Sequence, residues 1–289
     1  MKHTLHFTLL ATAFTANTCR RTPPPSAPPG APTETSPTPG QPNTNGGSPY
    51  RVEAVTHGGT LRGRVTWQGD RPAMDPLPVG ATGNPAVCGT TQPFPALALS
   101  ASGGVASTVV WLKDIDHGAA PTTRAVTVDQ HDCRYQPHVV AIPVGADLRM
   151  TNSDPGLLHN VHAYYGYEGE ESWFNAATPV GIPVVRKAER VGVSHLICDA
   201  GHTWMSGYVH VFPHPYYAVS DGDGNWSIPN VPPGTYTLHF WHEGWVRSEV
   251  PGHEHPAWSP AWERDRAVRV DPDGTVTADL TLTREGPTG

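Results

Sequence analysis

Long hydrophobic runs are missing from this sequence. Among its 289 residues no stretch approaches 18 consecutive apolar side chains, so the sequence predicts no membrane-spanning helix. Basic residues are also too few to dominate, because 19 Lys and Arg stand against 26 Asp and Glu. A formal charge of −7 offers no positive stripe for a nucleic-acid backbone. We therefore expect neither a membrane-spanning protein nor a nucleic-acid-binding one.

Helical periodicity is scarce as well. The single helical candidate is the short segment PVVRKAERV, residues 183–191. In contrast, 32 Pro and 30 Gly separate short runs that are apolar or that alternate between apolar and polar side chains. The sequence therefore predicts an all-β fold built from β-sandwiches. The predicted strands lie in residues 59–67, 105–112, 125–130, 138–152, 191–198 and 207–212.

Known catalytic patterns are absent from the sequence. It has no recognisable Ser-His-Asp set, paired-carboxylate motif, glycine-rich phosphate loop or zinc-protease helix. A carrier or a binding protein is therefore expected rather than an enzyme.

The N-terminus has the features of an export signal. MKHTLHFTLLATAFTANTC has a lysine, a short apolar segment and then Cys19, and we assign residues 1–21 to this signal. Residues 22–49 hold ten prolines and are predicted to be an extended linker. A signal, a cysteine and a stalk together resemble a bacterial lipoprotein, which implies acylation of Cys19. Residues 16–18 depart from the usual cleavage motif, so plain secretion stays open.

Cysteine is rare, with four in the chain, and one of them has unusual neighbours. If Cys19 is acylated or removed, three remain, and an oxidising compartment would pair two and leave one. The stretch CDAGHTWM places Cys198, His202 and Met205 within eight residues, after a predicted strand. A thiol, an imidazole and a thioether so close together indicate a metal site.

The C-terminal third resembles a second β unit. AVSDGDGNWSIPNVPPGTYTLHF, residues 218–240, is similar to the carboxypeptidase regulatory-like family, a transthyretin-like β-sandwich. GTLRGRV, residues 59–65, resembles the opening strand of that family. The resemblance implies a sandwich assembled from residues 50–121 and 214–289, with a central domain at 122–213 inserted into it or packed beside it.

That central domain resembles the cupredoxins, the family of blue copper proteins. TNSDPGLLHNVHAYY, residues 151–165, follows a hydrophobic strand and carries a His-Asn-Val segment, and the Cys, His and Met residues follow in the family's order. The resemblance implies a Greek-key β-sandwich that binds one copper ion. It assigns His159, Cys198 and His202 as strong ligands, Met205 as an axial ligand and Asn160 as a hydrogen-bonding link between the ligand segments.

Two features of the ligand pattern need comment. The Cys-x3-His-x2-Met spacing is similar to that of the binuclear copper loop of cytochrome oxidase, but Ser194 stands where that loop has a second cysteine, so a single copper is expected. His162 is the alternative first ligand. In a strand it points away from the face shared by His159 and Val161, so we favour His159.

The remaining cysteines, Cys88 and Cys133, are predicted to form a disulfide between the first β segment and the central domain, the alternative being that both stay reduced. Five further histidines could form a second metal-binding surface, although such residues are more often exposed or bonded to backbone groups. They are His131, His138, His195, His210 and His214.

The sequence thus favours a one-electron carrier of the cell envelope, periplasmic or lipid-anchored to the outer membrane, that uses Cu(I) and Cu(II). Its expected partner is a redox protein such as a c-type cytochrome, and its expected membrane contact is through the lipid anchor alone. His202 is expected on an exposed loop, where it would pass the electron. The alternatives are copper acquisition or delivery, and a metal-free module that binds carbohydrate or protein.

Overall fold

Strands make up nearly all of the regular structure. The computed structural model describes residues 49–167, 171–248 and 257–288. The predicted export signal with Cys19, and the predicted linker up to residue 48, lie outside the described residues. Within the described part, no helix has the length and apolarity needed to cross a bilayer. The all-β fold class is confirmed.

The first segment of the described chain contributes six strands, a 3-10 turn and one short helix. Its longest strand, Gly59–Trp67, has Leu61 and Val65 fully buried, while Arg62 between them is exposed. This alternation is what a sheet with one covered face requires. The elements are β1 (Arg51–Val52), β2 (Gly59–Trp67), β3 (Leu77–Pro78), the 3-10 turn Ala81–Gly83, α1 (Pro85–Cys88), β4 (Thr91–Gln92), β5 (Val109–Leu112) and β6 (His117–Gly118).

The central segment contributes nine strands. The predicted strand at 138–152 is two strands, because the chain turns at residues 144–146. The strands are β7 (Val126–His131), β8 (Arg134–Gln136), β9 (Val139–Pro143), β10 (Asp147–Asn152), β11 (His159–Tyr165), β12 (Glu171–Thr178), β13 (Val184–Lys187), β14 (Gly192–Ile197) and β15 (Ser206–Phe212).

These nine strands form two sheets with a shared core. One sheet has the order β13-β10-β7-β8 and the other the order β12-β11-β14-β15-β9. Both are mixed, since β10 runs parallel to β7 and β15 runs parallel to β9. Their inward side chains form one buried cluster that also contains Cys198 and Met205. Other members of this cluster are Val128, Leu148, Met150, Val161, Leu196 and Val209.

The last segment supplies the remaining strands. They are β16 (Tyr217–Val219), β17 (Asn225–Val231), β18 (Gly234–His242), β19 (Arg247–Ser248), β20 (Ala257–Trp258), β21 (Trp262–Val270), β22 (Thr275–Thr277), β23 (Leu280–Thr283) and β24 (Gly286–Thr288). Six of them join β2 and β5 of the first segment in two sheets, of orders β16-β5-β18-β21 and β17-β2-β23-β24, and β22 pairs with β2 as well. An outer sandwich therefore forms from segments that precede and follow the central strands in the sequence. Its core includes Leu61, Val110 and Phe240.

A third buried cluster joins the outer and central units. Val109 and Trp241 come from the outer sandwich, and Val139, Tyr208 and Phe212 come from the central one. The aromatic rings of Tyr208 and Trp241 meet edge to face, with centroids 5.3 Å apart. Apolar burial therefore continues from one unit into the other.

The single helical candidate, residues 183–191, contains a strand instead of a helix. Val184–Lys187 form strand β13, which pairs antiparallel with β10 at the edge of its sheet. Its burial pattern alternates between half-buried and exposed side chains, as expected for an edge strand. Pairing with β10 therefore decides the structure of this segment.

Candidate metal centre

Three predicted ligands converge at one end of the central core. His159 is the first residue of β11, Cys198 follows β14, and His202 lies on the loop between β14 and β15. The two Nδ1 atoms are 3.1 Å apart, and Cys198 Sγ lies 3.4 Å from His202 Nδ1 and 4.0 Å from His159 Nδ1. At most 2% of any of the three residues is exposed. The structure thus brings together a buried triangle of two nitrogen donors and one sulfur donor.

The size of this triangle suits a small metal ion. Metal–nitrogen distances of about 2.0 Å and metal–sulfur distances of about 2.3 Å, in a trigonal plane, require donor separations of roughly 3.5–3.8 Å. The observed separations of 3.1, 3.4 and 4.0 Å lie on both sides of that range. Two imidazoles and a thiolate are also a donor set that copper prefers. The residues present therefore fit a copper ion.

The loop that carries His202 reverses direction in a confined space. Gly201 has φ +84°, which a glycine adopts without strain, and a Cβ built on it would lie 2.7 Å from the carbonyl oxygen of Thr82. Glycine is therefore required here on two counts. The tight Asp-Ala-Gly turn brings His202 Nδ1 back to Cys198 Sγ.

Burial sets the protonation of the three ligands. It lowers the pKa of His159, although the Asp154 carboxylate acts in the opposite direction. Burial, together with His159, lowers the pKa of His202 to about 4. Burial also raises the pKa of the Cys198 thiol, while backbone hydrogen bonds from Asn160 and others oppose it. At neutral pH the two imidazoles are neutral and ready to bind metal, and the thiol must release its proton when metal binds.

Asn160 links the two ligand-bearing segments. Its backbone N–H lies 3.5 Å from Cys198 Sγ and points at it. Its side-chain Oδ1 accepts a hydrogen bond from the backbone N–H of Asp199, and its Nδ2 donates to Asn175 of β12. Strand β11 is thus joined to the residue after the cysteine by side-chain and main-chain contacts.

His162 lies apart from the triangle. Its ring bonds to Asp199, Ser172 and Tyr164 instead, with Nδ1 2.7 Å from an Asp199 oxygen. The alternation of side chains along β11 separates it from His159. Of the two candidate histidines, His159 is the one that the structure places beside Cys198.

Met205 is buried in the same core cluster as Cys198, with 1% of its surface exposed. Its backbone N–H donates to the carbonyl of His202 over 2.9 Å, which holds the short loop closed. Met205 also lines a mostly apolar cavity of about 360 Å³, together with Phe94, Tyr135 and Trp204. Its role as axial ligand stays a prediction.

The expectation that His202 is exposed is wrong. The residue is 2% exposed, and its Nε2 is buried without a hydrogen-bond partner in the described part of the chain. Residues 77–92, which we call the strap, contribute Thr82 and Gly83 next to the ligand loop. The strap is joined to the β7–β8 turn by a disulfide between Cys88 and Cys133. These contacts, which involve Gly201 and Trp204 on either side of His202, come from residues more than a hundred positions upstream.

Sequence reasoning missed the role of Asp154. Its carboxylate oxygen Oδ2 lies 2.8 Å from His159 Nε2, on the side of the ring that faces away from Cys198. The available signal was its position in the Asn-Ser-Asp turn between β10 and β11, five residues before His159. A second cluster of potential metal donors among the described residues contains His131 with Asp132 and Asp154, and the four other histidines considered above are in no such cluster there.

Part of the outer sandwich matches a known protein family. Residues 213–253 match the family described as polysaccharide lyase family 4, domain II. They lie in the segment that resembles the carboxypeptidase regulatory-like family, and that assignment stays a prediction. No curated protein matches the chain.

Solved structures that resemble part of the chain include cupredoxins. Amicyanin from Paracoccus versutus is 24% identical, with a TM-score of 0.27, over 30% of this chain and 80% of its own. The purple cupredoxin from Nitrosopumilus maritimus is 23% identical, with a TM-score of 0.26, over 30% of this chain and 98% of its own. A copper-containing nitrite reductase from Thermus scotoductus is 24% identical, with a TM-score of 0.27, over 30% of this chain. The match spans only 22% of the length of that reductase.

Proposed function

We propose that this chain is a mononuclear copper protein that carries single electrons in the bacterial cell envelope and is not itself a catalyst. The observation that supports this is the buried triangle formed by His159 Nδ1, His202 Nδ1 and Cys198 Sγ. Two imidazoles and a thiolate with a weak axial thioether form the donor set of blue-copper electron-transfer sites. We propose Met205 as that thioether.

Copper bound at this triangle would supply a one-electron couple. The chain would hold the ligands in one arrangement for both oxidation states, since all three are packed in the core and Asn160 links their segments. A buried site also keeps water from the metal, which limits reorganisation and side reactions. A rigid and dry ligand set suits electron transfer better than catalysis, which needs an open coordination position.

The partner in this proposal is a redox protein such as a c-type cytochrome, and nucleic acid has no part in it. Export places the chain in the periplasm or, through a lipid on Cys19, at the outer membrane, with secretion as the alternative. The identity of the donor and of the acceptor has to come from experiment.

Visible absorption tests the copper site directly. The purified chain would be loaded with Cu(II), and its spectrum compared with those of Cys198→Ser and His159→Gln. We expect an intense blue-to-green band that ascorbate bleaches and ferricyanide restores, and that both variants lose. The matched control is His162→Gln, which removes a histidine of the same strand outside the triangle and should keep the band. A colourless wild type with native β-sheet circular dichroism would overturn the proposal.

Copper delivery is the alternative that the same sample can test. Delivery requires ligands that exchange readily, whereas burial of all three donors favours retention. A carrier should hold one copper per chain against a chelator in both oxidation states. Rapid loss to the chelator, or several coppers per chain, would favour delivery, and no bound metal would favour a binding module.

A further inference from the structure

A buried carboxylate lies behind the proposed copper ligand His159. The side chain of Asp154 is 6% exposed, and its Oδ2 lies 2.8 Å from His159 Nε2. Its Oδ1 accepts a hydrogen bond from the backbone N–H of Asp132 over 2.7 Å, and its Oδ2 accepts one from Cys133 over 2.8 Å. The carboxylate is thus fixed by two main-chain donors as well as by the imidazole.

The direction of the imidazole hydrogen bond follows from the triangle. His159 Nδ1 faces Cys198 and His202, so it must be unprotonated to bind metal. The ring proton is then on Nε2, which donates to the Asp154 carboxylate. A carboxylate acceptor fixes the orientation of the ring and makes the imidazole a more basic ligand.

The charge of Asp154 is compensated by hydrogen bonds and not by a lysine or an arginine among the described residues. Within the described residues, its ion-pair partners within 4.0 Å are His159 and His131, and neither lysine nor arginine is among them. His131 Nδ1 is 3.8 Å from Asp154 Oδ1, and its side chain is half exposed to water. A negative charge in the interior attracts Cu(II) more strongly than Cu(I), because its interaction energy scales with the charge of the ion.

We propose that Asp154 is a positioning residue that fixes the ring of His159 and lowers the reduction potential of copper at this site. This inference rests on the proposed function. The β7–β8 turn donates these hydrogen bonds to Asp154. In this turn Asp132 and Cys133 have left-handed conformations, with φ of 52° and 55°, and Cys133 is bonded to Cys88 of the strap. The strap disulfide therefore supports the hydrogen-bond donors that orient the carboxylate.

The test is the reduction potential of Asp154→Asn, which keeps the shape of the side chain and removes its charge. We expect at least a tenfold loss in the preference for Cu(II) over Cu(I), equivalent to a rise of about 59 mV. The matched control is Asp129→Asn on β7, which removes a carboxylate that accepts from Thr151 and, among the described residues, has no hydrogen bond or ion pair with His159. The control should stay within a factor of two of wild type.

An unchanged potential in Asp154→Asn, or an equal shift in both variants, would overturn the inference. If Asp154→Asn fails to fold, proton NMR of the diamagnetic Cu(I) form of the wild type tests the hydrogen bond between His159 and Asp154. A downfield, exchange-protected His159 Nε2 proton would support the hydrogen bond, and its absence would contradict it. A wild type without a copper band would remove the proposed function together with this inference, whereas a normal band with an unchanged potential would remove this inference alone.

Discussion

The indole ring of Trp204 packs on the backbone of Gly83, so closely that a Cβ atom on that glycine would lie 2.5 Å from two ring carbons. The same indole donates from Nε1 to the carbonyl of Cys133 over 2.9 Å and meets the ring of His202 edge to face. Trp204 thus connects the ligand loop to the strap and to the disulfide. These contacts keep the strap against the loop that carries His202.

Gly83→Ala should displace the strap from the ligand loop. The added methyl group overlaps the Trp204 ring, and overpacking of this kind costs about 1–3 kcal/mol in the free energy of unfolding. Urea denaturation of the metal-free protein measures that cost, and loss of copper to a chelator should be faster because His202 becomes accessible. Gly80→Ala is the matched control, since a Cβ there has no atom within 4 Å. Equal behaviour of the two variants would contradict a covering role for the strap.

Removal of the Cys88–Cys133 disulfide should destabilise the protein substantially. The bond spans 45 residues, and closing a loop of that length in the unfolded chain is worth about 4 kcal/mol on the entropy scale. The double variant Cys88→Ala, Cys133→Ala should lose stability of that order in urea denaturation of the metal-free protein. A reductant should lower the stability of the wild type and leave the double variant unchanged. Identical midpoints for wild type and double variant would refute the estimate.

The residues that meet at the candidate site were predictable from sequence because their signals are local, while their role as copper ligands stays a prediction. Cys198, His202 and Met205 lie within eight residues, and His159 was separated from His162 by the alternation of side chains along one strand. The burial of His202 was not predictable, because its loop packs against residues 77–92, which reach the loop only in the folded chain. Asp154 was missed for a similar reason, since it is fixed by main-chain donors of the β7–β8 turn, more than twenty residues away.

Strand periodicity in the sequence predicted some strands of the fold and missed others. Strand periodicity located β2 with its correct bounds, because its alternation matches burial on one face. The same reasoning did not identify the strand within residues 183–191, where partly exposed apolar and charged side chains carry little information about sheet pairing. At an edge strand the decisive interactions are with the backbone of β10, which local sequence does not encode.

The pair of His138 and Glu243 links the two β units through a buried ionic contact. His138 Nε2 bonds to Glu243 Oε1, and the side chains are 14% and 2% exposed. Burial lowers the pKa of His138, but the Glu243 carboxylate and hydrogen bonds outweigh it and leave the pKa raised. His138 therefore holds a proton more readily in the folded protein than an exposed histidine does.

Breaking this pair from one side should be costly. His138→Leu leaves a buried carboxylate without its partner, and such changes cost about 3–5 kcal/mol of unfolding free energy. Adding Glu243→Leu should recover much of that loss, because two apolar side chains can pack together. A double-mutant cycle by urea denaturation measures the coupling. Purely additive losses would show that the two side chains act independently.

Acid should destabilise the metal-free protein partly through His210. This residue is buried among aromatic rings, with Trp241 4.3 Å away between ring centroids, and its Nε2 has no hydrogen-bond partner within the described residues. Burial, with a contribution from His239, lowers the pKa of His210 from 6.5 to about 3. As the pH falls below 6.5, the His210 imidazole binds a proton in the unfolded chain but stays neutral in the folded one. The free energy of unfolding therefore falls until about pH 3.

His210→Phe should therefore flatten the dependence of unfolding free energy on pH. Wild type should lose up to about 1.4 kcal/mol more per pH unit than the variant between roughly pH 6 and pH 4, which is the linkage slope for one proton. Urea denaturation at a series of pH values measures both slopes, and a constant offset caused by the larger ring does not affect the comparison. His57→Phe serves as the control, since the His57 side chain is 69% exposed. Parallel curves for wild type and His210→Phe would show that His210 takes up its proton equally in both states, because only a difference in proton uptake between the folded and unfolded chains changes the slope.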